Sequence, residues 1–223
     1  MFSDLQVLAD GNNFTRLLQG LGVSIQIALS SMALSIVLGT LMGVAMTRKS
    51  KIIHIVTQIY LQFVRIMPQL VLLFLVYFDA TRAWGLNLDA RVAAVIVFTL
   101  WGTAELGDLV RAAIESVPRH QYLSAAALGI EGRALYRHVV LPQALRGLLP
   151  ATINLTNRMI MTTSLVALIG VVEVLKVAQQ IIDANRFEYP SAALWIYGVV
   201  FLLYFLVCFP ISLAARKLEE RWS

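Results

Sequence analysis

Long uncharged runs, separated by short charged clusters, set the layout of the chain. Leu17 to Thr47 gives 31 residues without a charge between Arg16 and Arg48, and Tyr189 to Ala215 gives 27. About 20 apolar residues suffice to cross the hydrocarbon of a bilayer, so both runs predict membrane-spanning helices. Lys51 to Phe78 is a further stretch of spanning length, interrupted by Arg65 and Pro68. Proline removes a backbone donor and clashes with the preceding turn, which predicts a kink there. Val92 to Arg111 predicts a third span whose later part holds Glu105 and Asp108, and Gly147 to Val172 a fourth containing Arg158. The expected architecture is an all-α membrane protein. Its five transmembrane helices fall at about 17–47, 52–78, 92–115, 147–172 and 189–215, in a single domain over residues 1–223.

The stretches between the spans carry their own signals. Gly39 and Gly43, four apart on the first span, allow another helix to come close, and Asn12-Asn13-Phe14-Thr15 can cap a short helix before it. Trp84-Gly85 and Asn87 suggest an aqueous turn with an interfacial aromatic residue. The most distinctive stretch is His120 to Pro150, which carries Glu131, Arg133, Arg137, His138 and Arg146 between apolar segments. Its small-residue run Ser124-Ala125-Ala126-Ala127 predicts a short helix with a nearly bare face. Leu128-Gly129 follows, and Gly129 can take the left-handed backbone that ends a helix. A second short helix, Arg133 to Val140, is expected to stop at Leu141-Pro142, since a residue before proline is pushed from the helical region. This helix-turn-helix, over about 119–142, reads as a docking element or a plain polar loop. Glu173 to Glu188 predicts a short helix outside the membrane.

Composition agrees with a membrane protein: 59% of the 223 residues are hydrophobic and 14% charged, against about 25% charged in soluble domains. The net charge of +5 is no nucleic-acid signature, because its cations sort by loop. Arg48, Lys49, Lys51, Arg111, Arg119, Arg133, Arg137, Arg146, Arg216, Lys217 and Arg221 fall on one side; Arg16, Arg82, Arg91, Lys176 and Arg186 fall on the other. The richer side is expected to be cytoplasmic. The N-terminus is then outside, the C-terminus inside, and the docking stretch faces the cytosol. The lone Cys208 and three histidines offer neither a disulfide nor metal-ligand spacing. Met1 to Gly20 lacks the basic start and cleavage site of a signal peptide.

Ionisable groups inside spans are costly and mark candidate sites. Glu105 lies about 9 Å along the helix from Arg111, and Arg158 about 15 Å from Leu148, by the helical rise. Two roles stay open: an ion pair joining the third and fourth spans, or a pair of ligands, Glu105 for a substrate cation and Arg158 for a carboxylate. Asn154, Thr162, Thr163 and Ser164 add amide and hydroxyl groups on the fourth span, either for substrate or for interhelical hydrogen bonds. Glu105 and Asp108 share a helix face, Arg111 and Glu115 can pair four apart, and Arg65, beside Pro68, is expected to bind exposed backbone carbonyls.

Several ordered motifs resemble one family. Ala-Ala, Leu128-Gly129, a gap of about a dozen residues, then Leu141-Pro142-Gln143-Ala144-x-Arg146 resembles the EAA coupling loop of bacterial ABC importer permeases, in the version of the polar amino acid uptake branch. Tyr60-Leu61-Gln62-Phe63-Val64-Arg65 with Pro68 is similar to that family's Tyr-x-x-x-x-Arg-Gly-Thr-Pro segment. Arg111-Ala112-Ala113-Ile114, then Ser116-Val117-Pro118, resembles its approach to the loop. Thr163-Ser164-Leu165, Ile169-Gly170-Val171 and Glu173-Val174-Leu175 match a further block. The likeness runs from about residue 14 onward.

The resemblance implies a type I importer permease of the inner membrane. Ser124, Ala125, Ala126, Leu128, Gly129 and Arg133 would couple it to a separate ATP-binding subunit. A second permease chain, identical or related, and an extracytoplasmic amino acid binding protein would complete the assembly in the lipid. No Gly-x-x-x-x-Gly-Lys-Ser/Thr loop is present, so ATP and Mg are expected on the partner and no cofactor in this chain. The sequence departs from the family in three places. Leu123-Ser124-Ala125 stands for Glu-Ala-Ala, Arg65-Ile66-Met67-Pro68 for Arg-Gly-Thr-Pro, and Met161-Thr162-Thr163-Ser164-Leu165 for Lys-Asp-Thr-Ser-Leu. Glu105 stands where the family more often has an aromatic or small residue, which favours a cationic amino acid as cargo. The competing functions are a stand-alone ion-coupled carrier, which commonly shows internal repeats not found here, and a membrane enzyme, for which no cluster exists.

Overall fold

The computed structural model describes residues 6–79, 82–83, 85 and 87–222, and its regular elements are helical throughout. Trp84, expected at an interface, lies outside the described residues. A short helix α1 (Gln6–Ala9) precedes α2 (Asn13–Met46). Rather than capping a separate helix, Asn13 opens α2, and its side-chain amide donates back to the Val7 carbonyl at 2.8 Å. Helix α3 (Lys51–Ile66) starts at Ser50, whose hydroxyl accepts from the Ile53 amide. It ends at Met67, held extended with φ −70° and ψ 128°. Helix α4 (Gln69–Phe74) resumes after Pro68 and widens into a π turn, Leu75–Asp79. The kink expected at Pro68 is thus a full break, because the pre-proline residue leaves the helical region.

Asp89 caps α5 (Ala90–Glu115), its carboxylate accepting from the Arg91 amide at 2.8 Å. Helix α6 (Arg119–Ala127) and α7 (Gly132–Leu135) follow, and α7 runs through a π turn, Tyr136–Val140, into α8 (Leu141–Thr162). The expected stop at Leu141-Pro142 does not occur. Leu141 is helical, with φ −59° and ψ −46°, and Pro142 sits in the first turn of α8, where a missing N–H costs little. Helix α8 tightens into a 3₁₀ segment, Thr163–Ile169, closed by Gly170 at φ 88°. Helices α9 (Val174–Asn185) and α10 (Ala192–Trp222) complete the chain. Among the described residues three helices, α2, α5 and α10, are long and apolar enough to cross a membrane, and up to five spans result if two broken helix pairs each count once.

The chain forms two compact units: Met1–Ser31, Pro68–Phe98 and Arg158–Pro210 in the first, Met32–Met67, Thr99–Asn157 and Ile211–Ser223 in the second. In the first, Leu17 and Leu21 pack with Val174, Val177 and Ile181 of α9 and with Ile196, Val200 and Leu203 of α10. A Cβ on Gly20 would lie 2.8 Å from the Val174 backbone, so α2 and the start of α9 touch main chain to main chain. Glu173, with 0% exposure, sits at this contact. Its carboxylate accepts from the Lys176 amide at 2.8 Å and from the Ser24 hydroxyl at 3.1 Å.

In the second unit, the expected close approach at Gly39 and Gly43 is met by α5. A Cβ on Gly43 would overlap the Gly107 carbonyl and the Val110 side chain, and one on Gly39 would press on Leu106. The Ser35 hydroxyl donates across the same contact to the Thr99 carbonyl at 3.3 Å.

Candidate functional site

The second unit gathers five charged side chains into one chain of ion pairs. Arg65, at the last turn of α3, donates from Nε to Glu105 at 3.0 Å and from Nη2 to Asp108 at 2.8 Å. Asp108 also accepts from Arg111, whose other terminal nitrogen reaches Glu115 at 2.6 Å. Four of the five, Glu105, Asp108, Arg111 and Glu115, follow one another about a turn apart on α5, so the i, i+3 and i, i+4 spacing creates the row. The expected Arg111–Glu115 pair is present. The break at Met67 ends α3 just after Arg65 and so leaves its side chain at the helix end beside α5.

This corrects the expectation for Arg65: its guanidinium meets two carboxylates instead of backbone carbonyls. The physical reason is charge. A carboxylate bond to guanidinium is roughly twice as strong as one to a neutral acceptor, and α5 offers two such acceptors. The available signal was the isolated cation in a predicted span, together with the unpaired excess of acid on α5. Glu105 and Asp108 stay only partly covered, at 18% and 23% side-chain exposure, so a ligand can reach them.

The predicted docking stretch is a helix-turn-helix whose turn is set by Gly129, at φ 71°. The Ile130 amide donates to the Ala125 carbonyl at 2.9 Å and the Gly129 amide to Ala126 at 3.0 Å. Paired backbone bonds of this kind, around a left-handed glycine, close a helix C-terminus. Ala125 is buried, whereas Ser124, Ala126, Leu128, Gly129 and Arg133 are exposed. Leu128 is 78% and Leu123 64% exposed. Burial pushes the Tyr122 phenol pKa up, with a smaller contribution from nearby Tyr136, so α6 and the π turn lie against each other. Arg133 lines a cavity of about 620 Å³ with Val44, Tyr136 and Val140.

The remaining predicted site residues divide between the units. Arg158, Thr162 and Thr163 belong to the first; Asn154 belongs with Glu105 to the second. Arg158 and Asn154 are exposed and Thr163 is buried. The hydroxyls bond their own helix. Thr162 donates to the Arg158 carbonyl at 2.7 Å, Thr163 to Ile160 at 2.7 Å and Ser164 to Met161 at 3.1 Å. Each bonds its own helix three or four residues back, since that acceptor is already within reach and requires no partner helix. An interhelical polar bond does form at Asn157, whose amide donates to Ser212 of α10 at 2.7 Å. Among the described residues no group of His, Cys, Asp and Glu is arranged to hold a metal ion.

Comparison with known proteins places these features. Residues 35–223 match the family described as binding-protein-dependent transport system inner membrane component. A probable amino-acid ABC transporter permease protein of Bacillus subtilis (strain 168), YckA, is 30% identical over 95% of this chain and 91% of its own length. The glutamine transport system permease protein GlnP of Escherichia coli (strain K12) is 30% identical over 92% of each chain. Among solved structures, an amino acid ABC transporter crystallised with histidines superposes with a TM-score of 0.83 at 24% identity, over 93% of this chain and 94% of that one. This last likeness is one of fold, that of a type I ABC importer permease.

Proposed function

Since the chain belongs to the family of binding-protein-dependent transport system inner membrane components, we propose that it is the permease subunit of an ATP-driven amino acid importer. An ATP-binding subunit docks on the exposed face of α6 and the Gly129 turn and supplies ATP and Mg. A second permease chain encloses the path with this one, and an extracytoplasmic binding protein delivers the cargo. The N-terminus lies outside and the C-terminus in the cytosol, as the distribution of Lys and Arg favours.

The observation that carries the docking role is the apolar face of the turn. Leu123 and Leu128 stand exposed on a stretch rich in arginine, a composition that lipid does not explain and that a protein groove would cover. The left-handed turn gives that face a fixed shape. Closure of the ATPases would move α6 and, through its packing on the π turn, the helices that follow.

The cargo we favour is a cationic amino acid. The ion-pair row sets three carboxylates, Glu105, Asp108 and Glu115, against two guanidiniums, Arg65 and Arg111. One negative charge is in excess, and Glu105 shares the Arg65 guanidinium with Asp108. A cationic side chain would replace Arg65 at Glu105 as it passes, while Asn154, in the same unit, is a candidate for the substrate's carboxylate.

The test is co-reconstitution in proteoliposomes, with and without the ATP-binding subunit. Uptake against a gradient is expected only with the ATPase and ATP; accumulation by the permease alone would leave an ion-coupled carrier instead. Gly129→Asp puts a side chain in the left-handed region, at a cost of about 1–2 kcal/mol. It is expected to insert normally, and to lose transport while the ATPase still hydrolyses ATP. Full transport by that variant would remove the docking role.

A further inference from the structure

Arg146, singled out by the Pro-Gln-Ala-x-Arg motif, has no part in the site described above. It lines a cavity of about 320 Å³ in the second unit, formed by the first part of α8 and the last turn of α10. Glu219 and Trp222 line it from α10, and Asn154 lines it from α8. Gly147 and Ala151, both small, lie between Arg146 and Asn154 in sequence and line it too.

The charges are the informative feature. A guanidinium and a carboxylate line one cavity, yet no salt bridge joins Arg146 to Glu219 among the described residues. Both side chains are exposed, where pairing would gain only about 0–1 kcal/mol, so each charge stays available to a ligand in the cavity. The chemical group that satisfies both at once is a zwitterion: its carboxylate takes the fork of Arg146, bidentate and charge-assisted, and its ammonium takes Glu219. The Asn154 amide and the Trp222 ring supply a hydrogen-bonding end and an apolar wall. The volume lies at the low end of the ~300–1,000 Å³ typical of small-molecule sites, which suits a single amino acid and excludes a peptide.

We propose that this cavity is an inner binding site for the zwitterionic head of an α-amino acid, held between Arg146 and Glu219. It rests on the orientation and cargo proposed above, which put the last turn of α10 on the cytosolic side. An amino acid bound there would tie the start of α8 to the end of α10.

The experiment titrates the permease, in complex with its ATPase in nanodiscs, with L-arginine and L-glutamine by isothermal calorimetry. Two analogues serve as controls: agmatine, which lacks the carboxylate, and N-acetyl-L-arginine, which lacks the ammonium. Saturable binding of both amino acids and of neither analogue is expected. Arg146→Gln and Glu219→Gln should each raise that Kd by about tenfold or more, as loss of a charge-assisted bond does. Both side chains are exposed, so the variants should fold, and size-exclusion profiles check this. As an independent readout, the amino acid should change tryptophan emission in the parent protein and not in Trp222→Phe. Equal Kd values in parent and both charge variants, or binding of agmatine as strong as that of L-arginine, would overturn the proposal. Uptake with no such binding defeats this inference alone; binding without ATP-driven uptake defeats the proposed function and leaves the cavity assigned.

Discussion

Glu173 and Glu105 are both carboxylates in a chain with very few charges, and their surroundings could hardly differ more. Glu173 is fully buried, accepts from a backbone amide at the start of α9 and from Ser24, and lies beside a main-chain contact at Gly20. Each of its oxygens accepts from a donor on a packed helix. Glu105 is partly exposed and shares Arg65 with Asp108, which in turn shares Arg111 with Glu115. Every partner in that row is a flexible side chain with an alternative partner within reach. A buried acid bonded to backbone holds a joint; a partly exposed acid in an exchangeable row can trade its partner for a ligand. Burial and the kind of donor separate the two, while residue type does not.

The largest effect should come from attacking the joint. Gly20→Leu would drive a side chain into the Val174 backbone, which has no room to retreat. Overpacking of this kind costs about 1–3 kcal/mol or more, and the expected result is little folded protein by fluorescence-detected size exclusion. Glu173→Ala should follow, lowering thermal stability in detergent by about 1–2 kcal/mol through the lost cap. The molecules that do fold should keep their transport. Loss of transport with unchanged stability would place Glu173 among the working residues and break the contrast.

Substitutions in the row should reverse that order of effects. Arg65→Gln and Glu105→Gln are expected to change stability by no more than about 1 kcal/mol, because the pairs are partly solvated. Uptake, however, should fall, and in Glu105→Gln selectively for lysine, arginine, ornithine or histidine. Unchanged uptake of every basic amino acid by Glu105→Gln would remove the cationic cargo. The smallest effect belongs to Thr162→Val. Its hydroxyl already bonds the Arg158 carbonyl, so a shift within about 0.6 kcal/mol is expected, measurable as a nearly unchanged melting temperature.

Much of this was legible in the chain itself. Runs of spanning length foretold α2 and α10, the small-residue patch and Gly129 foretold the turn after α6, and Arg111 with Glu115 paired at helical spacing. These depend on neighbours within about one turn, or on the length of apolar runs, and such signals survive in one dimension. Arg65 was less legible. Nothing within a turn of it on α3 names a partner 40 residues further along the sequence, and the sequence nearby offers it only the backbone carbonyls freed at Pro68. Glu173 looked like an ordinary polar residue at a helix start, and its complete burial was invisible. Thr162 points the other way, since a hydroxyl on a span reads as interhelical until the carbonyl it bonds is seen.

By itself, then, the order of residues determined that this is a helical membrane protein, where its longest apolar helices run and where the turn at Gly129 is made, because hydrophobic length and local backbone preference act along the chain. Which acid became a joint and which became part of an exchangeable row was decided only by tertiary structure. That choice depends on what packs from a distant helix: the bare main chain at Gly20 in one case, the end of α3 at Arg65 in the other. Both follow from desolvation and partner geometry, which no stretch of sequence carries alone.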